Sequence, residues 1–194
     1  MALAHRVGHR PPTAGCLLVA TPVIAEPTFF RTVILLLEHD DATGSLGVVL
    51  NRPMELSVAD VLPSWSVFTA PPGVLYSGGP VAEGGALALG RLQSAGSLPV
   101  GVTAVFESVV VVDLDAEPSA MGSFVEELRV YNGYAGWGPG QLRSELRSGA
   151  WWVFGSTPTD GFSREPSELW YQVLGRQGGS WAMWAHAAED PDVN

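Results

Sequence analysis

One segment constrains the fold of this chain more than any other. Residues 31–38, Arg-Thr-Val-Ile-Leu-Leu-Leu-Glu, are β-branched at the start and then apolar without a break. A short run of that kind reads as a central β-strand, because no polar face is left for solvent. Asp40-Asp41-Ala42-Thr43-Gly44 follows and is turn chemistry. Ser45-Leu46-Gly47-Val48-Val49-Leu50 then returns as a second apolar run. The pair predicts a β-hairpin, ended by Asn51-Arg52-Pro53.

The rest of the chain is cut into short pieces. With 23 Gly and 15 Pro in 194 residues, short elements are expected rather than a helical bundle. Strands are expected at 15–20, 74–77, 85–91, twice within 102–112, at 127–132 and at 151–154. Ser57 and Asp60 predict a short capped helix before Pro63. The glycine-rich stretch Gly133–Gly140 is read as a connection feeding a helix from about Pro139 to Ser148, with Leu142 and Leu146 as its buried stripe. Leu169, Trp170, Val173 and Leu174 mark one face of a last helix. Many strands, few helices and no regular alternation give an α+β class. A chain of this size buries about 70% of its unfolded surface, enough for one sizeable core. One domain over 15–182 is expected, between a mobile arm at 1–14 and an acidic tail at 183–194.

Composition excludes several chemistries. All ten basic residues are Arg, so there is no lysine for a Schiff base, a pyridoxal phosphate anchor or a P-loop. A single cysteine, Cys16, allows neither an internal disulfide nor a CxxC pair, and fits a reducing cytoplasmic location. Beyond residue 14, 8 Arg stand against 20 acids, a net charge of −12. Such a body repels a phosphate backbone, so direct nucleic-acid binding is not expected. The longest aliphatic run, Val33–Leu37, is far short of the roughly 20 residues of a spanning helix, and no membrane insertion is expected.

Three groups of motifs resemble the YqgE/AlgH family of bacterial proteins. The first runs from Gly15-Cys-Leu-Leu-Val-Ala-Thr-Pro22 through Phe30-Arg31-Thr-Val-Ile and Glu38-His39 to Gly47-Val-Val-Leu-Asn51-Arg52-Pro53. The second is Tyr76-Ser-Gly78-Gly79-Pro80-Val81. The third is Gly133-Tyr134-Ala-Gly-Trp137-Gly-Pro-Gly-Gln141-Leu142, with Glu145 and Gly149-Ala-Trp151 after it. The resemblance covers roughly residues 15–178. It implies an α+β fold whose bent, mostly antiparallel sheet forms a pseudo-barrel with a few short helices. It supplies no reaction, since the family has no settled activity, and the regulatory label on some members rests on phenotype. Arg143 departs from the pattern, because an acid is common there.

The candidate binding residues are Arg31, His39, Asn51, Arg52, Gly78, Gly79, Tyr134, Trp137 and Gln141. His39 lies in the one His–carboxylate cluster, Glu38-His39-Asp40-Asp41, yet no metal-ligand spacing accompanies it. Its bland reading is a polar strand end. Arg52 has the fork for a carboxylate or phosphate, or for a structural acid. Gly78-Gly79 reads as a turn needing positive φ, or as a place where a ligand approaches the backbone. Tyr134 and Trp137 read as core aromatics placed by the surrounding glycines, with an anion at the helix start beside Gln141 as the other reading. Cys16 reads as a small buried hydrophobe. No catalytic set, cofactor or metal is expected. The sequence favours a cytoplasmic, non-enzymatic module that binds an unknown protein or small molecule. The alternative is a hydrolase-like enzyme using His39 and nearby carboxylates.

Overall fold

The structure is a computed structural model that describes residues 10–94 and 96–187. The chain is α+β. Its centre is built from β1 (Cys16–Ala20), β2 (Val33–Asp40) and β3 (Gly44–Val49). All five residues of β1 are buried. Period-two alternation sends Leu17 and Val19 to one side of the sheet, with Val33, Leu35 and Leu37 of β2. Cys16, Leu18 and Ala20 go to the other side, with Ile34 and Leu36. A continuous apolar run is what a strand covered on both faces requires, and β2 is that strand.

The hairpin turn is held by Asp40, whose Oδ1 accepts the N–H groups of Ala42 (2.6 Å) and Thr43 (3.0 Å). These bonds favour the ionised form and hold the Asp40 carboxyl below its ordinary range. Burial among apolar neighbours pushes the Cys16 thiol up, so it stays an uncharged packing group.

The remaining strands are β4 (Pro53–Ser57), β5 (Val74–Ser77), β6 (Val81–Leu92), β7 (Val102–Phe106), β8 (Val109–Val112), β9 (Val125–Trp137) and β10 (Trp151–Gly155). They extend the hairpin into one curled half-barrel in the order β10-β1-β2-β3-β9-β6-β8-β7, with β4 and β5 beside β9. Neighbours run antiparallel except β5 and β9, which are parallel. The helices are α1 (Val58–Val61), α2 (Pro118–Met121), α3 (Gln141–Arg147), α4 (Leu169–Gln177) and α5 (Gly179–Ala187).

The two faces near β1 and β2 are closed differently. Leu169, Trp170, Val173 and Leu174 of α4 cover one, and the Trp170 indole N–H donates to the Ala20 carbonyl at 2.9 Å. Leu142 of α3 covers the other, with Trp137 and Trp151. A third core gathers Val58, Trp65, Met121, Val125, Leu128 and Val130 under β6 and β8.

Three elements differ from the sequence reading. The stretch expected as a loop from Gly133 is strand as far as Trp137, because Gly133 at φ 71 lets β9 kink and continue. β9 is therefore 13 residues long, pairing with β6 over most of its length and with β3 through Ala135–Trp137. The helix after it begins at Gln141, with Gly140 at φ 70 just before it. Asn51-Arg52-Pro53 does end β3, but β4 starts at Pro53 itself, a position a strand tolerates on an edge. α5 crosses the expected tail boundary at 183, because Trp181 packs edge-on against Trp152 and Phe154 and Ala185 is buried. Of the expected arm and tail, residues 1–9 and 188–194 lie outside the described residues.

Candidate functional site

The glycines of the second and third motifs meet. Gly78 donates its N–H to the Asn132 carbonyl at 2.9 Å and accepts from Val49 N–H at 2.9 Å, so the segment after β5 lies directly against β9 and β3. A Cβ on Gly78 would overlap the Gly133 carbonyl oxygen, and one on Gly79 would overlap the Tyr134 backbone. A Cβ on Gly133 would sit 2.6 Å from the Gly79 oxygen. Gly79 has positive φ (145°), as expected of a turn; Gly78 does not, and is glycine for lack of space. These glycines let two backbones touch each other.

Arg31, Asn51 and Arg52 gather before β2. Asn51 is 3% exposed. Its Oδ1 accepts from Val33 N–H (2.9 Å) and its Nδ2 donates to the Arg31 carbonyl (2.9 Å). Arg52 donates to the Phe30 carbonyl, and its partial burial pushes the guanidinium pKa down. Arg31 holds a left-handed backbone (φ 52°), donates to the Tyr171 hydroxyl at 2.6 Å and stacks near Phe30, Trp170 and Tyr171. Arg52 and Gly79 line a cleft of about 380 Å³ with Pro27, Thr28 and Glu83.

His39, Tyr134, Trp137 and Gln141 lie at the far end of β2. From Arg31 to His39 the strand advances roughly 25 Å, so the two groups do not share a pocket. His39 Nδ1 is 2.7 Å from Ser45 Oγ, the residue directly opposite on β3, and the imidazole is 11% exposed. Asp41 stands 4.0 Å from Nε2, and its Oδ2 is bonded to Arg143. Arg143, the departure from the family pattern, thus ties α3 to the hairpin turn. Ser45, Tyr134 and Trp137 line a cleft of about 510 Å³ with Glu38, Leu46 and Val81.

Trp137 is 6% exposed. Its indole N–H donates to Glu145 Oε2 at 2.9 Å, and the Trp151 indole donates to the same oxygen at 2.8 Å. Gln141 ties the helix start to the preceding turn: Oε1 accepts Gly138 N–H (3.0 Å) and Nε2 donates to Glu145 Oε1 (2.9 Å).

A further opening, of about 760 Å³, lies elsewhere, between the face of β6 and β9 and the segment 159–176. Arg91, Arg164 and Arg176 line it, together with Glu126, Glu127, Asp160 and Glu165. Arg91 binds Glu127 Oε1 through two N–H groups (2.6 and 2.9 Å). Arg176 grips both oxygens of Asp160 (2.5 and 2.7 Å). Beneath the floor lies Arg129, 1% exposed, donating to the carbonyls of Pro71 (3.1 Å) and Ser163 (2.9 Å), two residues of the lining. Its guanidinium stacks 4.4 Å over the Tyr76 ring. Burial raises the Tyr76 and Tyr131 phenol pKa values, so both hydroxyls stay protonated. The sequence reading passed over this cleft. The available signal was Arg129 itself, a cation inside the strand pattern Leu128-Arg129-Val130. Among the described residues no group of three His, Cys, Asp or Glu side chains is placed to hold a metal ion. No described helix is long and apolar enough to cross a membrane.

The architecture recurs in known proteins. A model of the AlgH-like family matches residues 17–182. A UPF0301 protein of Streptomyces coelicolor is 47% identical over 183 residues, covering 93% of this chain and 94% of its own length. One from Nocardia farcinica is 48% identical over 175 residues, covering 89% and 81%. The crystal structure of protein DIP2367 from Corynebacterium diphtheriae superposes with a TM-score of 0.86 at 30% identity, over 91% of this chain and 93% of that one. The solution structure of AlgH from Pseudomonas aeruginosa gives 0.68 at 27% identity, over the full length of both chains. The chain belongs to the AlgH-like family, whose function is uncharacterised.

Proposed function

We propose that the chain is a non-enzymatic binding module of a regulatory kind, with residues 15–182 as one domain. Its single cysteine suits a reducing cytoplasm. Its receptor is the 760 Å³ cleft over Arg129, and its partner there is a small polar molecule. The observation that carries this reading is the placement of scarce cations. The chain has ten arginines and a net charge of −10, yet three line this one cleft and a fourth lies beneath its floor. Polar groups converging in a concavity of this size are what a small-molecule site needs. The clustering is local and interleaved with acids, so it does not form the basic stripe that a nucleic acid requires. The test is a panel of small polar metabolites titrated into isotopically labelled protein. Amide shifts should gather on Thr159–Arg164, Gln172 and Arg176. Shifts gathered on another surface, or none from any compound, would overturn the reading.

A second reading rests on the His39–Ser45 pair. Ser45 Oγ faces an imidazole nitrogen at 2.7 Å and lines a cleft, which is the start of a nucleophile–base arrangement for a hydrolase. Asp41, at 4.0 Å and shared with Arg143, orients the ring only loosely. Covalent labelling of Ser45 by a fluorophosphonate, lost in Ser45→Ala, would favour this reading; absence of labelling would remove it.

A further inference from the structure

We infer that Arg129 is the anchor for a small anion, a carboxylate or phosphate group, at the floor of the 760 Å³ cleft. This rests on the cleft being the binding site proposed above and names the chemistry it selects. Arg129 belongs to β9 and pairs with Leu89 of β6. It is one of the largest fully buried side chains of the protein. It makes no ion pair among the described residues. Its Nη2 is held by the Pro71 and Ser163 carbonyls, but Nε and Nη1 are buried without any hydrogen-bond partner. The Tyr76 hydroxyl, on the ring beneath the guanidinium, is likewise buried and unpartnered.

A permanent cation withdrawn from water needs an opposite charge or a full set of acceptors. A guanidinium has only donors, so neither a neutral amide donor nor a cation can meet that need. Two of the four acids lining the cleft are committed. Glu127 is taken by Arg91, and Asp160 by Arg176 and by the Thr157 N–H at 2.7 Å. The partner that fits is therefore an incoming anion, held by a charge-assisted hydrogen bond from an unpartnered N–H of the guanidinium.

The approach is marked by Arg164. It is exposed, lines the cleft and forms no hydrogen bond or ion pair among the described residues. It adjoins Ser163, whose carbonyl caps Arg129. An anion drawn first to Arg164 reaches an unpartnered N–H of Arg129 once the Ser163 or Pro71 segment shifts at the cleft floor. Glu126 and Glu165 stand in the same lining and repel an extended polyanion. The selection is thus for a compact monoanion or dianion.

The test is inorganic phosphate, and separately acetate, titrated into full-length protein carrying ¹⁵N-arginine. Ionic strength is held constant, and sodium chloride serves as control. The expected result is a saturable shift of the Arg129 Nε–H resonance, a rise in thermal midpoint, and at least a fivefold weakening in Arg164→Gln. Loss of the response in Arg129→Gln adds support. Should that variant not fold, the wild-type Nε–H signal decides alone. If only Arg164 responds, and chloride does the same, the anchor is refuted. If metabolites of the panel shift the lining but leave the Arg129 signal still, the anchor falls and the cleft survives. If neither phosphate nor any panel compound moves the lining, both fall together.

Discussion

Trp137 and Trp151 donate their indole N–H groups to one and the same carboxylate oxygen, Oε2 of Glu145. The two rings meet edge to face at 6.1 Å, so one helix residue fixes the end of β9 against the start of β10. Glu145→Ala would leave both donors without that acceptor. The expected loss is about 2–4 kcal/mol, from unmade bonds to buried donors. Glu145→Gln keeps one acceptor and should lose less. Trp137→Ala, which opens a cavity as well, should lose about 3–5 kcal/mol. Urea denaturation of the three variants gives the order. A loss below about 1 kcal/mol for Glu145→Ala would show that water replaces the carboxylate easily.

The glycine crossing makes a sharper prediction, because space and φ can be separated. Gly78 has an ordinary φ but no room for a Cβ against the Gly133 oxygen. Gly136 also has an ordinary φ, and a Cβ there would meet only side chains, the Tyr134 ring at 3.4 Å and Val81 Cγ2 at 3.6 Å. Gly78→Ala should lose at least about 3 kcal/mol or fail to fold, since backbone on both sides must move. Gly136→Ala should stay within about 1 kcal/mol of wild type. Equal effects in the two variants would mean that the crossing yields without cost.

How much of this was legible in the sequence differs by element. The hairpin from Val33 to Val49 was readable because burial on both faces leaves an unbroken apolar run. The buried face of α4 was readable from the spacing of Leu169, Trp170, Val173 and Leu174. β9 was cut short at Gly133, since glycine in sequence signals a turn whether it bends a strand or admits a neighbouring backbone. Asn51, Arg52, Gly78 and Gln141 stood out in the motifs, and the structure gives each a backbone to hold or to clear. Arg129 went unnoticed for the opposite reason. A lone Arg in a strand looks like a surface residue until the segments 157–166 and 71–76 are folded over it, and those contacts are long-range.

The turn at Asp40 predicts a pH dependence of known sign. Two backbone N–H groups hold its carboxyl below the ordinary value of 3.8. A carboxyl whose pKa is depressed by folding contributes stability above its unfolded pKa. That contribution disappears as the pH falls through the lower, folded value. Asp40→Asn should therefore be less stable than wild type at pH 7, and the gap in thermal midpoint should close below about pH 3.8. The group is exposed, so added salt should shrink the gap as well. A gap that stays constant from pH 7 to pH 3 would contradict the assignment.

Charge predicts the response to DNA. With 8 Arg against 20 acids beyond residue 14, phosphate contacts have few donors to draw on. The protein should show no sequence-specific DNA affinity at about 0.15 M salt, where specific complexes reach about 10 nM or tighter. Fluorescence anisotropy against random and genomic duplexes provides the check. A submicromolar, sequence-dependent dissociation constant would overturn the expectation.

Asn51 separates a structural bridge from a ligand contact. Its amide spans two backbone groups, accepting from Val33 N–H and donating to the Arg31 carbonyl, while Arg31 holds φ 52°. A left-handed backbone costs a non-glycine residue about 1–2 kcal/mol, so something must hold it. Asn51→Ala removes both bonds and should lose about 2–4 kcal/mol. Asn51→Asp keeps the acceptor for Val33 but turns the second oxygen toward the Arg31 carbonyl, where two acceptors repel. It should be close to Ala in stability at pH 7 and recover part of the loss in acid, once the carboxyl gains a proton to donate. Arg31→Gly relieves the backbone while deleting the guanidinium, so its loss should include the Tyr171 bond and the aromatic stacking. Combining Arg31→Gly with Asn51→Ala then tests the coupling. If Asn51 serves to hold the strained residue, the double variant should lose measurably less than the sum of the singles. Strict additivity would show that the bridge and the strain are independent, and that Asn51 is free to serve another purpose.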